Sequence, residues 1–163
     1  MLKKLVTIFI ILLMPSISVA KVNSDYQVKF DYHNYAKERE IAHKYFLEVF
    51  NSSKTFATIK PSDIGIDLYD IDNDNEKEVL AYVNFADRCP KNGCPFAILK
   101  MLTSDDYQAI NWGGNLAIHN SPLILKDLTS GYHDVLFKAK DNSKHIWQWD
   151  GTSSYRLKKK LIS

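Results

Sequence analysis

Residues 64–83 read IGIDLYDIDNDNEKEVLAYV, and this stretch decides the fold. Apolar residues alternate with other residues at its start, and an unbroken apolar run, Val79–Val83, stands at its end. Alternation with period two and short apolar runs are both typical of β-strands. An acidic turn cluster lies between them, and strands joined by short links pair in the antiparallel sense. The stretch therefore predicts a β-hairpin.

The chain after this hairpin continues in the same pattern. Short apolar runs are separated by turn clusters rich in Asn, Asp, Gly and Ser. No segment of helical length separates the runs, whereas parallel strands need a crossover of about a dozen residues. We therefore expect an antiparallel sheet. Its further strands are predicted at residues 96–102, 107–112, 116–119, 123–125, 135–139, 145–149 and 155–157.

An amphipathic helix is predicted before the hairpin, over residues 35–50. Its apolar side chains recur at helical intervals, and Asn34 stands at the N-cap position. The predicted fold class is α+β: one N-terminal amphipathic helix packed on a curled antiparallel sheet of about six to eight strands, in a single domain over residues 21–163. The stripe of the helix comprises Tyr35, Ala42, Tyr45, Phe46, Val49 and Phe50.

Residues 1–20 have the plan of a secretory signal. Lys3 and Lys4 precede an apolar run, Leu5–Met14, and small residues lead to Ala20, where we expect cleavage. The run is too short to cross a bilayer, which takes about 20 residues, and no later stretch is more apolar. The sequence thus predicts a periplasmic or secreted protein and excludes an integral membrane protein.

The charge of the chain changes when this signal is removed. The whole sequence has 21 basic and 19 acidic residues. Without Lys3 and Lys4 the two signs balance, so the mature chain lacks a general basic footprint for nucleic acid or anionic lipid. With 45% apolar residues the chain can build a packed core. We expect a protein partner in the cell envelope and no nucleic acid.

Cys89 and Cys94 are the two cysteines. The oxidising compartment and the turn-forming residues between them favour a disulfide that staples a β-hairpin. Two alternatives stay open. One is a redox-active pair, although such pairs usually have C-x-x-C spacing and these cysteines have C-x4-C spacing. A zinc half-site needs a second Cys/His pair, and none stands at ligand spacing.

The loop of the first hairpin has carboxylates at alternate positions, as hard cations require. Ca²⁺ takes six to eight oxygen ligands at about 2.3–2.6 Å, so the loop predicts a Ca²⁺ site. The alternative is an acidic turn without metal, because Asp and Asn are common turn residues. The EF-hand pattern fails, since Asn75 and Ala81 stand where it needs glycine and glutamate. The candidate ligands are Asp70, Asp72, Asp74, Glu76 and Glu78.

Residues 70–83 resemble the D-x-D-x-D calcium hairpins of FG-GAP and VCBS-type repeats, with Asn75 in place of glycine. A propeller is not implied, because the chain has one acidic loop only. Over most of the chain the order of helix, acidic hairpin, Cys-x4-Cys turn, Gly131–Asp134 step and Trp149–Gly151 turn is similar to a group of small exported proteobacterial proteins, mostly without assigned function. The resemblance implies export and a helix-plus-sheet domain. It brings no catalytic residues.

The histidines do not form a recognisable catalytic or metal motif, and there is no G-x-S-x-G. We therefore expect a protein that is not an enzyme. His145, Trp147 and Trp149 share one face of a predicted strand. They are a candidate stacking platform for a sugar or peptide, with core packing as the alternative.

These observations together predict an exported, non-catalytic binding or interaction module, stapled by a disulfide and stabilised by Ca²⁺. An inhibitor or immunity-type protein is one form that such a module takes. The alternatives are a small periplasmic hydrolase, whose site assembles from distant residues, and an envelope structural protein.

Overall fold

The computed structural model describes residues 24–50, 58–84, 93–103, 106–110, 116–118, 120–138 and 141–161. No helix in these ranges is both long and apolar enough to cross a bilayer. The helical elements are α1 (Ala36–Val49) and a 3₁₀ turn (Pro61–Asp63). The strands are β1 (Tyr26–Gln27), β2 (Ile64–Tyr69), β3 (Glu78–Val83), β4 (Cys94–Met101), β5 (Tyr107–Ala109), β6 (Leu116–Ile118), β7 (Leu123–Thr129), β8 (Tyr132–Lys138), β9 (Lys144–Trp149) and β10 (Tyr155–Leu161).

The strands form two antiparallel sheets. The middle sheet has the order β2-β3-β4-β5, and β6 also pairs with β4. The outer sheet has the order β1-β7-β8-β9-β10. The α+β class and the antiparallel pairing are confirmed. The prediction of one curled sheet with about six to eight strands was wrong, because the described residues contain ten strands in two sheets.

The middle sheet is covered on both faces, which explains why one sheet was predicted where two exist. Ala81 and Ala97 pack with the helix in one core cluster. Their neighbours Leu80 and Ile98 pack with the outer sheet in a second cluster. A strand buried on both faces is apolar at every position. The unbroken apolar run Val79–Val83 is therefore the sequence signal of a central layer.

The helix α1 lies against β2 and β3 of the middle sheet. Ala42 and Phe46 are fully buried in the cluster that it shares with this sheet. Tyr35 and Val49 belong to the predicted stripe but are exposed. Tyr35 precedes the helix in a left-handed conformation. The buried stripe is thus narrower than predicted.

Arg39 anchors α1 to the middle sheet through main-chain carbonyls. Its buried guanidinium donates Nε–H to the carbonyl oxygen of Ile64 at 3.0 Å and Nη2–H to that of Asn34. The side chain of Asn34, predicted as the N-cap, instead donates to Asp31 Oδ2 at 2.7 Å. The prediction of Asn34 as N-cap was therefore wrong.

Asp67 connects the N-terminal segment to β2. Its buried carboxylate accepts hydrogen bonds from the Tyr26 hydroxyl at 2.8 Å and from the Lys29 amide at 2.7 Å. Burial raises the pKa of Tyr26 to about 12, and the hydrogen bond to Asp67 adds to the rise. Since Tyr26 belongs to the outer sheet and Asp67 to the middle sheet, this contact joins the two layers.

Candidate metal centre

The acidic loop, residues 70–78, folds around the side chain of its first residue, Asp70. Asp70 follows β2 directly, and its two oxygens accept hydrogen bonds from the amides of Asp74 at 3.1 Å and Asn75 at 3.0 Å. Asn73 and Asn75 both adopt left-handed backbone conformations, with φ of 58° and 71°. Asparagine tolerates this conformation better than most residues. The Asn residues thus provide the tight turn without glycine.

Three of the five predicted ligands come together. Asp70, Asp72 and Glu78 each offer an oxygen, and these oxygens lie within 4.8 Å of one another. Ligand oxygens about 2.3–2.6 Å from one Ca²⁺ ion are separated by at most about 5 Å, so the spacing fits a single cation. The side chain of Asp74 lies beside this cluster, whereas Glu76 is exposed and contributes its amide to Asp74 Oδ1 at 2.8 Å.

Glu78 is the deepest member of the cluster. It is 1% exposed, and its Oε2 accepts a hydrogen bond from the Ile71 amide at 2.9 Å. Burial raises the pKa of Glu78 to about 7, against the opposing effect of the Ile71 amide. The charge of Asp72 raises this pKa further, and Lys100 lowers it. Close to neutral pH this carboxyl group therefore exchanges between protonated and ionised forms.

Lys100 places an ammonium group on the cluster. It lies on β4, and its Nζ donates to Asp72 Oδ2 and, at 2.6 Å, to Asp74 Oδ2. Burial by itself lowers the pKa of Lys100, but the hydrogen bonds to Asp72 and Asp74 outweigh it and raise the pKa above its ordinary value. The hydrogen bond from Lys100 also lowers the pKa of Asp74.

Asp72 has one oxygen without a hydrogen bond. Its side chain is 8% exposed, and Oδ1 is buried and has no hydrogen-bond partner in the part of the chain that the structure describes. A buried carboxylate oxygen without a donor or a cation costs free energy. The donor set therefore fits a hard cation: it consists of carboxylates, their spacing is suitable, and one oxygen lacks a partner.

The cluster lies where the two sheets meet. The amide of His133 on β8 donates to the carbonyl oxygen of Ile71 at 2.8 Å. Tyr132 stacks on Trp149 with ring centroids 4.3 Å apart. Burial raises the pKa of Tyr132, and the charge of Asp72 adds to the rise. A cation bound in the loop would therefore touch the middle sheet and lie beside the outer sheet.

The predicted stacking platform on β9 lies on the core face of the outer sheet. It consists of His145, Trp147 and Trp149. In the register of β8 and β9, Trp147 lies opposite Val135, a core residue, and His145 opposite Phe137. Trp149 is buried and belongs to the same core cluster, and Trp147 packs against it. This placement fits the core-packing alternative for Trp149, whereas His145 and Trp147 are half-buried.

Ser143 and His145 form a contact that the sequence spacing did not reveal. Ser143 Oγ lies 3.0 Å from His145 Nε2 and also hydrogen bonds to Asp141 Oδ1. In a Ser-His-Asp triad the carboxylate binds the other ring nitrogen of the histidine and not the serine. Ser143 is also buried. The arrangement therefore differs from that of an activated nucleophile.

An open cleft of about 420 Å³ lies on the face of the outer sheet that is turned away from the middle sheet. Lys138 and Lys144 are directly opposite each other across β8 and β9. Like charges in this position repel, and no carboxylate pairs with either lysine within the described ranges. The cleft is lined by Gln27, Asn120, Ser121, Leu123, Leu136, Lys138 and Lys144.

Two predictions fall on residues outside the described ranges. Cys94 begins β4 and is fully buried, but Cys89 is not described. The Cys89–Cys94 disulfide therefore stays a prediction. The same holds for the signal over residues 1–20 and its cleavage after Ala20.

Comparisons of the chain with protein-family models, curated proteins and solved structures gave no match.

Proposed function

We propose that this chain is an exported, non-catalytic binding module of the cell envelope, stabilised by Ca²⁺ at Asp70, Asp72 and Glu78. The observation that supports the metal is the carboxylate cluster with its buried, unpartnered Asp72 oxygen. When bound, Ca²⁺ supplies positive charge that offsets the repulsion between these carboxylates. The signal-like residues 1–20 support export.

The chemistry of the donors favours Ca²⁺ over other metals. The cluster contains carboxylate oxygens and neither histidine nor cysteine, whereas zinc and copper sites use nitrogen and sulfur ligands. Mg²⁺ demands nearly ideal octahedral geometry at about 2.0–2.1 Å, and Ca²⁺ accepts irregular oxygen sets. Main-chain carbonyls and water would complete the coordination. We expect an affinity in the range of extracellular modules, about 10⁻⁴–10⁻³ M.

Millimolar Ca²⁺ is expected to raise the melting temperature of the protein. At tenfold excess over the dissociation constant, binding stabilises the folded state by about 1.4 kcal/mol, which corresponds to about 3–6 °C for a domain of this size. Differential scanning fluorimetry with Ca²⁺ and with chelator measures the change. The Asp72→Ala variant is expected to show no Ca²⁺ response.

Glu76→Ala is the matched control for this measurement, because Glu76 belongs to the same loop but its side chain is exposed. It is expected to keep the response of the wild type. Identical melting curves of the wild type with Ca²⁺ and with chelator would contradict Ca²⁺ binding.

The partner that we propose is an envelope protein that presents acidic side chains to Lys138 and Lys144. Opposed lysines that have no carboxylate partner among the described residues attract anionic groups, and the cleft that they line is open. In the inhibitor or immunity-type form of this proposal, the cleft is the surface that meets the target. In the alternative of a periplasmic hydrolase, the hydroxyl of Ser143 would have to leave Asp141. The other alternative, an envelope structural protein, requires no cleft.

Reversal of charge in the cleft is expected to abolish partner capture. The immobilised wild-type protein is incubated with periplasmic extract, and bound proteins are identified by mass spectrometry. The Lys138→Glu/Lys144→Glu variant should lose at least about tenfold of the captured partner. The Lys37→Glu/Lys44→Glu variant has the same net charge but alters the exposed face of α1, and it should capture the partner normally. An empty pull-down with the wild type, or equal capture by both variants, would contradict this proposal.

A further inference from the structure

We propose that Lys100 is an internal cation that occupies the acidic loop in the absence of metal, and that Ca²⁺ displaces it. This inference rests on the proposed function. Its starting point is that the ammonium group of Lys100 hydrogen bonds to both Asp72 and Asp74. Two carboxylates of the loop are therefore already in contact with a positive charge that belongs to the chain.

The ammonium group and the proposed Ca²⁺ share one carboxylate: Lys100 hydrogen bonds to Asp72 Oδ2, and Oδ1 of the same group has no partner in the described part of the chain. Asp72 is the residue that the metal cluster and the Lys100 ion pairs have in common. An ion at that cluster would lie within a few ångströms of Nζ, and two cations at that distance repel in a site that is partly shielded from solvent. Simultaneous occupation is thus unfavourable, and the loop exchanges one cation for the other.

Lys100 can leave the loop more readily than the carboxylates can. Its side chain is 25% exposed, and its ammonium group stands at the end of a flexible four-carbon stem. Its neighbour across β4 and β5 is Gln108, which is exposed and leaves room towards solvent. Asp70, in contrast, is fixed by the amides of Asp74 and Asn75. The moving part of the exchange is therefore the lysine side chain.

The exchange has three consequences. Without metal the loop keeps a counter-charge, so the module stays folded when Ca²⁺ is scarce. With Ca²⁺ present, part of the binding free energy is used to release the ammonium group, so the affinity of the wild type is lower than the carboxylates alone would give. Binding of Ca²⁺ also transfers a positive charge from the loop to the surface.

Lys100→Met is expected to bind Ca²⁺ about tenfold more tightly than the wild type, because the competing cation and its ion pairs with Asp72 and Asp74 are lost. Isothermal titration calorimetry of the purified protein with CaCl₂ measures both affinities. Lys44→Met removes an exposed lysine of α1, remote from the loop, and should bind as the wild type does. If the wild type binds Ca²⁺ and Lys100→Met binds it with equal or lower affinity, the inference is overturned. Absence of binding to wild type and variant alike would overturn the proposed Ca²⁺ function itself.

A second measurement on the wild type does not depend on the folding of a variant. Acetylation with an N-hydroxysuccinimide ester labels free lysine amines, and mass spectrometry reads the labelled sites. Labelling of Lys100 is expected to rise at least about fivefold when Ca²⁺ replaces chelator, because the hydrogen-bonded ammonium group is released. Labelling of Lys138 should not change. Equal labelling of Lys100 at saturating Ca²⁺ and in chelator would overturn the inference.

Discussion

Replacement of Phe96 by alanine is expected to lower the free energy of unfolding by about 3–5 kcal/mol. Phe96 is 2% exposed, and its ring meets Phe30 and Phe137 edge-on, at centroid distances of 6.1 and 5.7 Å. It therefore fills the space between the middle and outer sheets. The truncation removes this apolar area and leaves a cavity that the surrounding strands can fill only in part. Urea unfolding followed by tryptophan fluorescence measures the loss.

Leu157→Ala is the matched control for Phe96→Ala. Leu157 is 47% exposed on β10, so its truncation should change the free energy of unfolding by less than about 0.5 kcal/mol. Similar losses in the two variants would show that Phe96 does not lie in a core shared by the two sheets.

The metal-free protein is expected to lose about 3 kcal/mol of stability between pH 5 and pH 8 through Glu78. Burial raises the pKa of this carboxyl group from 4.5 to about 7. A group whose pKa is higher in the folded state than in the unfolded state stabilises the folded protein. This contribution is fully present below the unfolded pKa, and it is lost as the pH rises through the folded pKa. Stability therefore falls as the pH rises from about 4.5 to 7, and the loss is complete above 7. Urea unfolding in chelator at several pH values measures this slope.

Glu78→Gln is expected to remove the slope. Glutamine keeps an oxygen for the Ile71 amide but does not ionise, so at pH 8 the variant should be more stable than the wild type. Glu76→Gln changes an exposed residue of the same loop and should leave the slope unchanged. Parallel pH profiles of the wild type and Glu78→Gln would contradict this assignment.

The sequence predicted the elements of the fold better than their assembly. The hairpin of β2 and β3 and the helix were evident because periodic apolar residues reflect local burial. The division into two sheets was not evident, because the run Val79–Val83 indicates burial without indicating what covers each face. The predicted strand at 155–157 extends to Leu161 in the structure. The run of lysines at 158–160 has no apolar alternation, so the sequence did not indicate a strand there. These residues lie on an edge strand, which pairs with β9 through its main chain.

In the candidate site, too, the residues that are close in sequence were predicted and the distant one was not. Asp70, Asp72 and Glu78 were predicted because alternate positions of one loop turn inward, which is a local property. Lys100 was not predicted, because its contact with the loop depends on the register of β3 and β4. Val79 lies opposite Leu99, which brings Lys100 level with Glu78. A single sequence does not specify this register, so a residue more than twenty positions away could not be assigned to the loop.

The buried arginine of α1 gives the two ends of the middle sheet different responses to acid and base. Main-chain carbonyls, which do not titrate, hold the Arg39 guanidinium. The attachment of the helix is therefore constant from the acidic to the alkaline side of neutrality. The opposite end of β2 leads into the loop beside Glu78, and burial raises the pKa of that carboxyl group to about 7. A fall in pH through neutrality is thus expected to stabilise the loop end of the metal-free molecule while the attachment of the helix stays unchanged.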